Sequence, residues 1–329
     1  MSKTDSLKLS MLGLPVIQTV DDFSQITHVS RYTIYQLSKH ADKYYKTYTI
    51  PKASGKLRTI CQPSKKLKGL QSWILVNILD KLKVSNSCKG FEKGSSTASN
   101  VEPHKTANAV LTLDLKVFFP TVKRNQVYSI FKTVGYNTTI SAILTNICTF
   151  EGALPQGSPC SPKLANLSAW TLDVRVQGYV GKRGITYTRY ADDLSFSALS
   201  PSKVVRIIPM IKSIIKDENF EVNPAKTRIA GSARAKKVTG LIIADDTFGI
   251  GKQKYKELRS KIYHLILPTE QTNTKLLYEV NGWLAYLNSV DEKRLKKAKE
   301  FISELAAKHP TTLVARLKRW MKDYNHHRP

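Results

Sequence analysis

The chain has 329 residues and carries 52 Lys+Arg against 25 Asp+Glu, a formal charge of +27 at pH 7 that calls for a polyanionic partner. With 41% hydrophobic residues, 16 Gly and 14 Pro, that charge belongs on a folded surface of about two domains. A basic disordered tail and a small disulfide scaffold are both excluded. Cys61, Cys88, Cys148 and Cys160 lie far apart with no C-x-x-C pair and no His at zinc-finger spacing, which fits a reducing cytoplasm. No apolar run reaches the ~20 residues of a membrane span, and the N-terminus lacks a signal-peptide core. The charge is spread over the whole length and not along one amphipathic helix, so nucleic acid is a better partner than a membrane surface.

In chain order, YTIPKASGKLRTICQP alternates β-prone residues about Ser54-Gly55 and predicts a hairpin with cations at its tip and arms. Residues 65–84 place Leu67, Leu70, Ile74, Ile78 and Leu82 on one helical face. VLTLDL from 110 is a short β-prone run that ends in Asp114, and helical patterns follow over 125–134 and 138–150. ITYTRYADDLSFSA from 185 predicts two strands around a turn that carries Asp192 and Asp193. A helix over about 202–217 precedes two more strands in KTRIA and KVTGLII. From 252 the pattern is helical over 252–267, 275–290, 292–308 and 311–323, with loops at Pro268 and Pro310. The mixture predicts an α+β fold followed by a separate helical domain, with no internal repeat and no disordered linker.

An Asp-Asp pair read alone marks a solvated turn, as Asp245-Asp246 does. Like charges this close raise each other's pKa, and between two apolar strands the usual relief is a divalent cation. Mg²⁺ takes carboxylate and phosphate oxygens, and two such ions can clamp the attacking and leaving oxygens of an in-line phosphoryl displacement.

The context decides between these readings. TRYADDLSFS resembles the Tyr-x-Asp-Asp box of reverse transcriptases, LTLDLKVFFP their first metal box, and LPQGSPCSPKLANL their Gln-Gly-Ser-Pro box. FEVNPAKTRI and KKVTGLII resemble the two boxes that follow, and the order and separations agree from about 44 to 290. NVEPH (Asn100 to His104), VTGL (238–241) and NGWLAYLNSVD (281–291) resemble elements of the bacterial retron branch; Val101 stands where that branch more often has Ala. The chain is too short for the maturase and endonuclease parts of group II intron proteins.

The resemblance implies a right-hand polymerase. Its N-terminal extension and fingers would span 1–109 and about 125–150, an α+β palm 110–245, and a helical, RNA-binding thumb 246–329. Asp114, Asp192 and Asp193 are the catalytic acids, and with the Leu115 backbone carbonyl they hold two Mg²⁺, with Mn²⁺ as a substitute. The triphosphate is strongly anionic, so the hairpin cations Lys52, Lys56 and Arg58 are candidates to meet it, and the resemblance favours Arg58. Lys226 matches a position that protonates pyrophosphate; a plain surface lysine is the competing reading. Phe119 stands where the family has a gate against the ribose 2′-hydroxyl; a core Phe is the competing reading, and on an extended chain Phe118 would point the opposite way, so one of the pair is expected in the core.

Gln156 would contact the nucleotide, with Gly157, Ser158 and Pro159 keeping its turn close to a base pair. Tyr190 would press on the primer end. Asn100, His104 and Gly240 are candidate primer, template or RNA contacts, and for His104 an ordering or RNA-contacting role is preferred to a general base. Lysine-rich stretches at 252–261, 293–299 and 316–322 would grip phosphates. Trp283, Tyr255, Tyr286 and Trp320 are candidates to stack on bases, of which one or two are expected to do so.

Retron kinship further implies a cognate structured noncoding RNA as primer and template, with DNA (msDNA) made from dNTPs and started on a guanosine 2′-hydroxyl. It implies trimming by a host ribonuclease H and a separately encoded effector in defence against phage. The rivals are an intron-type or diversity-generating reverse transcriptase, and a catalytically idle RNA-binding scaffold. VTGL opposes the first; the three aspartates and Gln156 oppose the second.

Overall fold

The computed structural model describes residues 4–51, 55–231, 233–244, 246–267 and 273–326. Lys52, Ser54, Asp245 and Pro268 lie outside the described residues, as does the side chain of Trp320.

The predicted hairpin forms as β1 (Tyr45–Pro51) and β2 (Leu57–Pro63), antiparallel with Ile50 opposite Arg58. A second sheet has four strands: β3 (Ala109–Asp114), β4 (Thr186–Tyr190), β5 (Asp193–Ala198) and β6 (Arg228–Ala230), in the order β4-β5-β3-β6. β3 and β5 are buried along almost their whole length, so Val110 and Leu111, on opposite faces of β3, are both in the core. β7 (Lys236–Val238), β8 (Leu241–Ala244) and β9 (Thr247–Gly249) form an antiparallel meander. With these strands among many helices, the fold is α+β.

Ser64 caps the helix Lys65–Asn77 by accepting from Leu67 N, and Leu67, Leu70 and Ile74 line its buried face. The helix is shorter than the periodicity predicts. Ile78 leaves helical backbone at φ −120°, and a 3-10 turn, Leu79–Lys81, lets both Ile78 and Leu79 enter the core. The helix expected over 202–217 is likewise two, Pro201–Arg206 and Ile208–Asp217. Pro209 has no N–H to donate, so it sits in the first turn of the second helix and not inside one long helix.

The chain divides into two compact units. The first comprises Met1–Ser95, Leu111–Phe196 and Ser202–Ile229; the second comprises Ser96–Val110, Ser197–Pro201 and Ala230–Pro329. In the second unit the helices Gly251–His264, Asn273–Val290, Glu292–Lys308 and Leu313–His326 share one apolar core, with Leu258, Leu277, Leu287, Ile302 and Leu317 at its centre. All four cysteines are free and buried. Among the described residues no helix is long and apolar enough to cross a membrane.

Candidate active site

β3 delivers Asp114, 5% exposed, at its last position. The neighbouring strand β5 begins at Asp193, and only Ala191 and Asp192 separate it from β4, a link short enough only for antiparallel neighbours. Ala191 takes left-handed backbone (φ 57°) to make that turn. Leu115, itself buried, ties the two strand ends together by donating from N to Asp192 O at 2.9 Å. The three aspartates singled out by the sequence therefore belong to one cluster.

Their charges are poorly balanced. Burial raises the Asp192 pKa and the charge of Asp114 adds to this, while its own backbone N–H, Lys226 and Arg58 oppose. Asp193 is pushed up to about 6, by burial first and then by the charges of Asp192 and Asp114. Among the described residues only Lys226 forms an ion pair with any of the three. Its Nζ lies 2.5 Å from Asp114 Oδ1, and that hydrogen bond raises the lysine pKa. Lys226 ends a 3-10 turn, Pro224–Lys226, which Asn223 docks on β3 by donating from N to Asp114 O (2.7 Å) and from Nδ2 to Asp114 Oδ2 (3.3 Å). Asn223 had no assigned role in the sequence; its signal was its place in NPAKT.

Among the described residues no three His, Cys, Asp or Glu side chains already close on one point as a metal cage. The donor set still fits a hard divalent cation. Its side-chain donors are all carboxylate oxygens, with Asp114 buried and Asp192 and Asp193 half-buried, and it holds more negative charge than nearby cations cancel. Mg²⁺ keeps water and phosphate oxygens for most of its shell, so a complete protein cage is not required.

The hairpin stands beside this cluster. Arg58 is exposed on β2 and its charge reaches Asp192; Lys56 is exposed with no such effect on the acids. Cys61 N donates to Gln156 O at 2.8 Å, which fastens the Gln-Gly-Ser-Pro turn to β2. At Gly157, φ 134°, a Cβ would stand 2.6 Å from Cys61 O, so this glycine permits a close approach to the hairpin backbone. Ser158 is buried, and Gln156 and Pro159 are half-buried.

Phe118 and Phe119 do not lie on extended chain. Val117 turns left-handed (φ 49°) and Phe118–Thr121 forms a helical turn, with Phe118 buried against Phe220 and Phe119 half-buried. Phe119 faces Phe91 at 6.0 Å between ring centroids, and Phe91 also lies 6.4 Å from Tyr190. The sequence reading missed Phe91, a 46% exposed aromatic at φ 60°.

A cluster behind the turn was also missed. Arg189 and Asp173, both 0% exposed, pair bidentately through Nε to Oδ1 (2.8 Å) and Nη2 to Oδ2 (2.7 Å). Tyr187 OH donates to the same Asp173 Oδ1 at 2.7 Å. Arginine in the β-prone segment TYTRY, and aspartate on the apolar face of WTLDVRV, were the available signals. A separate cavity of about 460 Å³ is lined by Lys81, Lys83, Lys89, Lys93 and Lys163, and by none of the three site aspartates.

In the second unit Asn100 and His104 are fully buried, so neither presents its side chain to RNA in this structure. Asn100 Nδ2 donates to Thr239 Oγ1 at 3.3 Å, and His104 Nδ1 lies 2.6 Å from Ser197 Oγ. Gly240, at φ 85°, makes the tight β7–β8 turn. Trp283, Tyr286 and Tyr255 pack half-buried on the helical core, the first two edge to face at 5.9 Å. Among the described residues of this unit, the exposed helical aromatics are instead Tyr263 and Tyr278.

A strand-end acid, an Asp-Asp turn short of cations and an arginine-bearing hairpin together define a polymerase that transfers nucleotidyl groups. Comparison with known proteins gives the kind. The profile of the family described as Reverse transcriptase (RNA-dependent DNA polymerase) matches residues 50–243. The chain is 45% identical over 307 residues to the retron Ec86 reverse transcriptase of Escherichia coli, across 93% of this chain and 95% of that protein. It is 32% identical over 315 residues to the retron Mx65 reverse transcriptase of Myxococcus xanthus, across 89% and 73%. The chain belongs to the bacterial retron reverse transcriptases, and its activity is RNA-directed DNA polymerisation.

Proposed function

We propose that this enzyme copies part of a cognate structured noncoding RNA into msDNA, starting on a guanosine 2′-hydroxyl of that RNA and using Mg²⁺. The observation that carries the chemistry is the undercompensated cluster of Asp114, Asp192 and Asp193. These acids and the Leu115 carbonyl would hold two Mg²⁺, which when bound activate the attacking hydroxyl and neutralise the leaving pyrophosphate. Arg58, with Lys52 and Lys56 on the same hairpin, meets the triphosphate. Lys226 carries a proton on Nζ, kept there by Asp114, and yields it to pyrophosphate. Phe119 excludes the 2′-hydroxyl of a ribonucleotide, Gln156 contacts the nucleotide, and Tyr190 supports the primer end.

On this reading 1–109 with about 125–150 act as fingers, 110–245 as palm and 246–329 as a thumb that grips hybrid phosphates. The names of the relatives support a retron enzyme; the msDNA product, trimming by host ribonuclease H, a separate effector and a role in phage defence are our reading of that kinship. The test is to purify the protein from its native operon and examine the nucleic acid that comes with it. A branched RNA–DNA molecule is expected; unbranched RNA alone would sink the priming scheme. Asp192→Ala with Asp193→Ala should abolish DNA synthesis with RNA binding near intact. Continued extension by that protein would remove the metal assignment.

A further inference from the structure

Directly behind the Asp192 turn lies a buried polar cluster to which the chemistry above gives no task. The Arg189 guanidinium spends Nε and Nη2 on Asp173 and turns Nη1 to two acceptors, Asn166 Oδ1 and Ala191 O, both at 3.1 Å. Ala191 is the left-handed residue that precedes Asp192. Its carbonyl is held by Arg189 from behind, and the next carbonyl, Asp192 O, is held by Leu115 N from the β3 side.

The rest of the cluster fixes Arg189 in turn. Arg189 N donates to Ser87 O and Lys89 N to Arg189 O, both at 2.7 Å. At Gly90 a Cβ would stand 2.6 Å from Ala191 N, so this segment lies flat against the turn. Asn166 Nδ2 donates to Gly90 O (2.8 Å) and to Glu92 Oε1 (3.1 Å), and Lys163 Nζ holds Glu92 Oε2 at 2.5 Å.

We infer that Arg189 is a positioning residue for the polymerase reaction: through the Ala191 carbonyl it sets where Asp192 and Asp193 point, and Asp173 and Asn166 anchor it. The inference rests on the reading of Asp192 as a metal-holding acid. Stability alone does not call for the arrangement, because an apolar pair of similar volume commonly replaces a buried ion pair without loss. An apolar pair has no donor for Ala191 O. A lysine at 189 would keep a paired charge, but one ammonium cannot span both Asp173 oxygens, Asn166 and the turn carbonyl.

Two variants are needed, Arg189→Lys and the apolar pair Arg189→Met with Asp173→Leu. Each is measured for folded fraction, for Mn²⁺ affinity on primer–template without nucleotide by electron paramagnetic resonance, and for kcat and KM in primer extension. Outer partners of metal ligands typically set about 10–100-fold in affinity or rate. We expect losses of that size in Mn²⁺ affinity and in kcat per folded molecule, with the KM for dNTP little changed. Wild-type Mn²⁺ affinity and rate in either variant would overturn the inference, as would losses that only track the unfolded fraction. Asp192→Asn is run beside them. If it still polymerises, the reading of Asp192 fails and this role with it; if it is dead while Arg189→Lys behaves as wild type, only the positioning role fails.

Discussion

Asp173 and Asp114 are buried aspartates of the same unit, 0% and 5% exposed, and their surroundings differ in kind. Asp173 receives three hydrogen bonds, two from a guanidinium and one from a phenol. Burial alone would lower the Arg189 pKa, but the charge and hydrogen bonds of Asp173 outweigh it and the pKa is raised. Among the described residues Asp114 has one ion-pair partner, Lys226, which also faces the charges of Asp192 and Asp193, and the lysine side chain is 59% exposed. The fold supplies Asp173 with a full set of partners and leaves Asp114 short of them, which fits the metal-holding role proposed for Asp114.

Exchanging the amide for the acid at both positions would test that contrast most severely. Asp114→Asn should lower primer extension on the order of 10³-fold or more, because several kcal/mol of metal-borne stabilisation is lost. Its thermal midpoint should stay within a few degrees, since one of three repelling charges goes with the ion pair. Asp173→Asn should instead destabilise by about 3–5 kcal/mol, since it leaves the Arg189 guanidinium buried without its carboxylate. Denaturant midpoints and steady-state extension of both proteins decide it. A stable Asp173→Asn protein, or an Asp114→Asn protein that either keeps extending primers or is as destabilised as Asp173→Asn, would break the comparison.

The two clusters also differed in how legible they were. Asp114, Asp192 and Asp193 could be picked out from sequence because the boxes around them resemble those of a known family in order and separation; their places at a strand end and a turn alone would not have distinguished them from a solvated Asp-Asp turn. Asp173 and Arg189 could not be paired, because their meeting depends on how the helix Trp170–Gly181 packs on β4, which no local pattern encodes. Gly157 was recognisable as a backbone device, but its neighbour, the Cys61 carbonyl, is far away in sequence. Of Phe118 and Phe119 one was expected in the core and Phe118 is buried, but the helical turn that buries it could not be read because the left-handed Val117 has no side-chain signature. Trp283 and Tyr286 show the limit of reading aromatics beside lysines as base-stacking: on this helix they face its own core.

His104 shows a third treatment of a buried titratable group, neutrality. Burial pushes its pKa from 6.5 down to about 4. Between those values the unfolded chain binds a proton that the folded chain does not, so stability is full above about pH 6.5 and falls as the pH drops towards 4. A shift of that size corresponds to about 3 kcal/mol. Urea midpoints at pH 4.5 and 7 should therefore differ less in His104→Gln than in wild type. Equal pH dependence in the two proteins would mean that other groups carry the acid sensitivity.

The smallest effects are expected where the site is least enclosed, at the aromatic side of the cluster. Phe119→Ala should cut discrimination against ribonucleotides by about 10²-fold, the scale on which a pocket rejects one added hydroxyl by shape. Phe91 does not stand at the gate position, but its ring lies against Phe119 and Tyr190. An aromatic contact is worth ~0.5–1.5 kcal/mol, so Phe91→Ala should loosen the gate only about 2–10-fold. Competition between dNTP and NTP at single-nucleotide extension measures both. Unchanged selectivity in Phe119→Ala would remove the gate assignment, and an equal or larger loss in Phe91→Ala would transfer it. Phe91 holds a left-handed backbone and is nearly half exposed, whereas Arg189 is fully enclosed. The contrast between closed support and open contact then predicts that Phe91→Ala leaves Mn²⁺ affinity unchanged while Arg189→Lys does not.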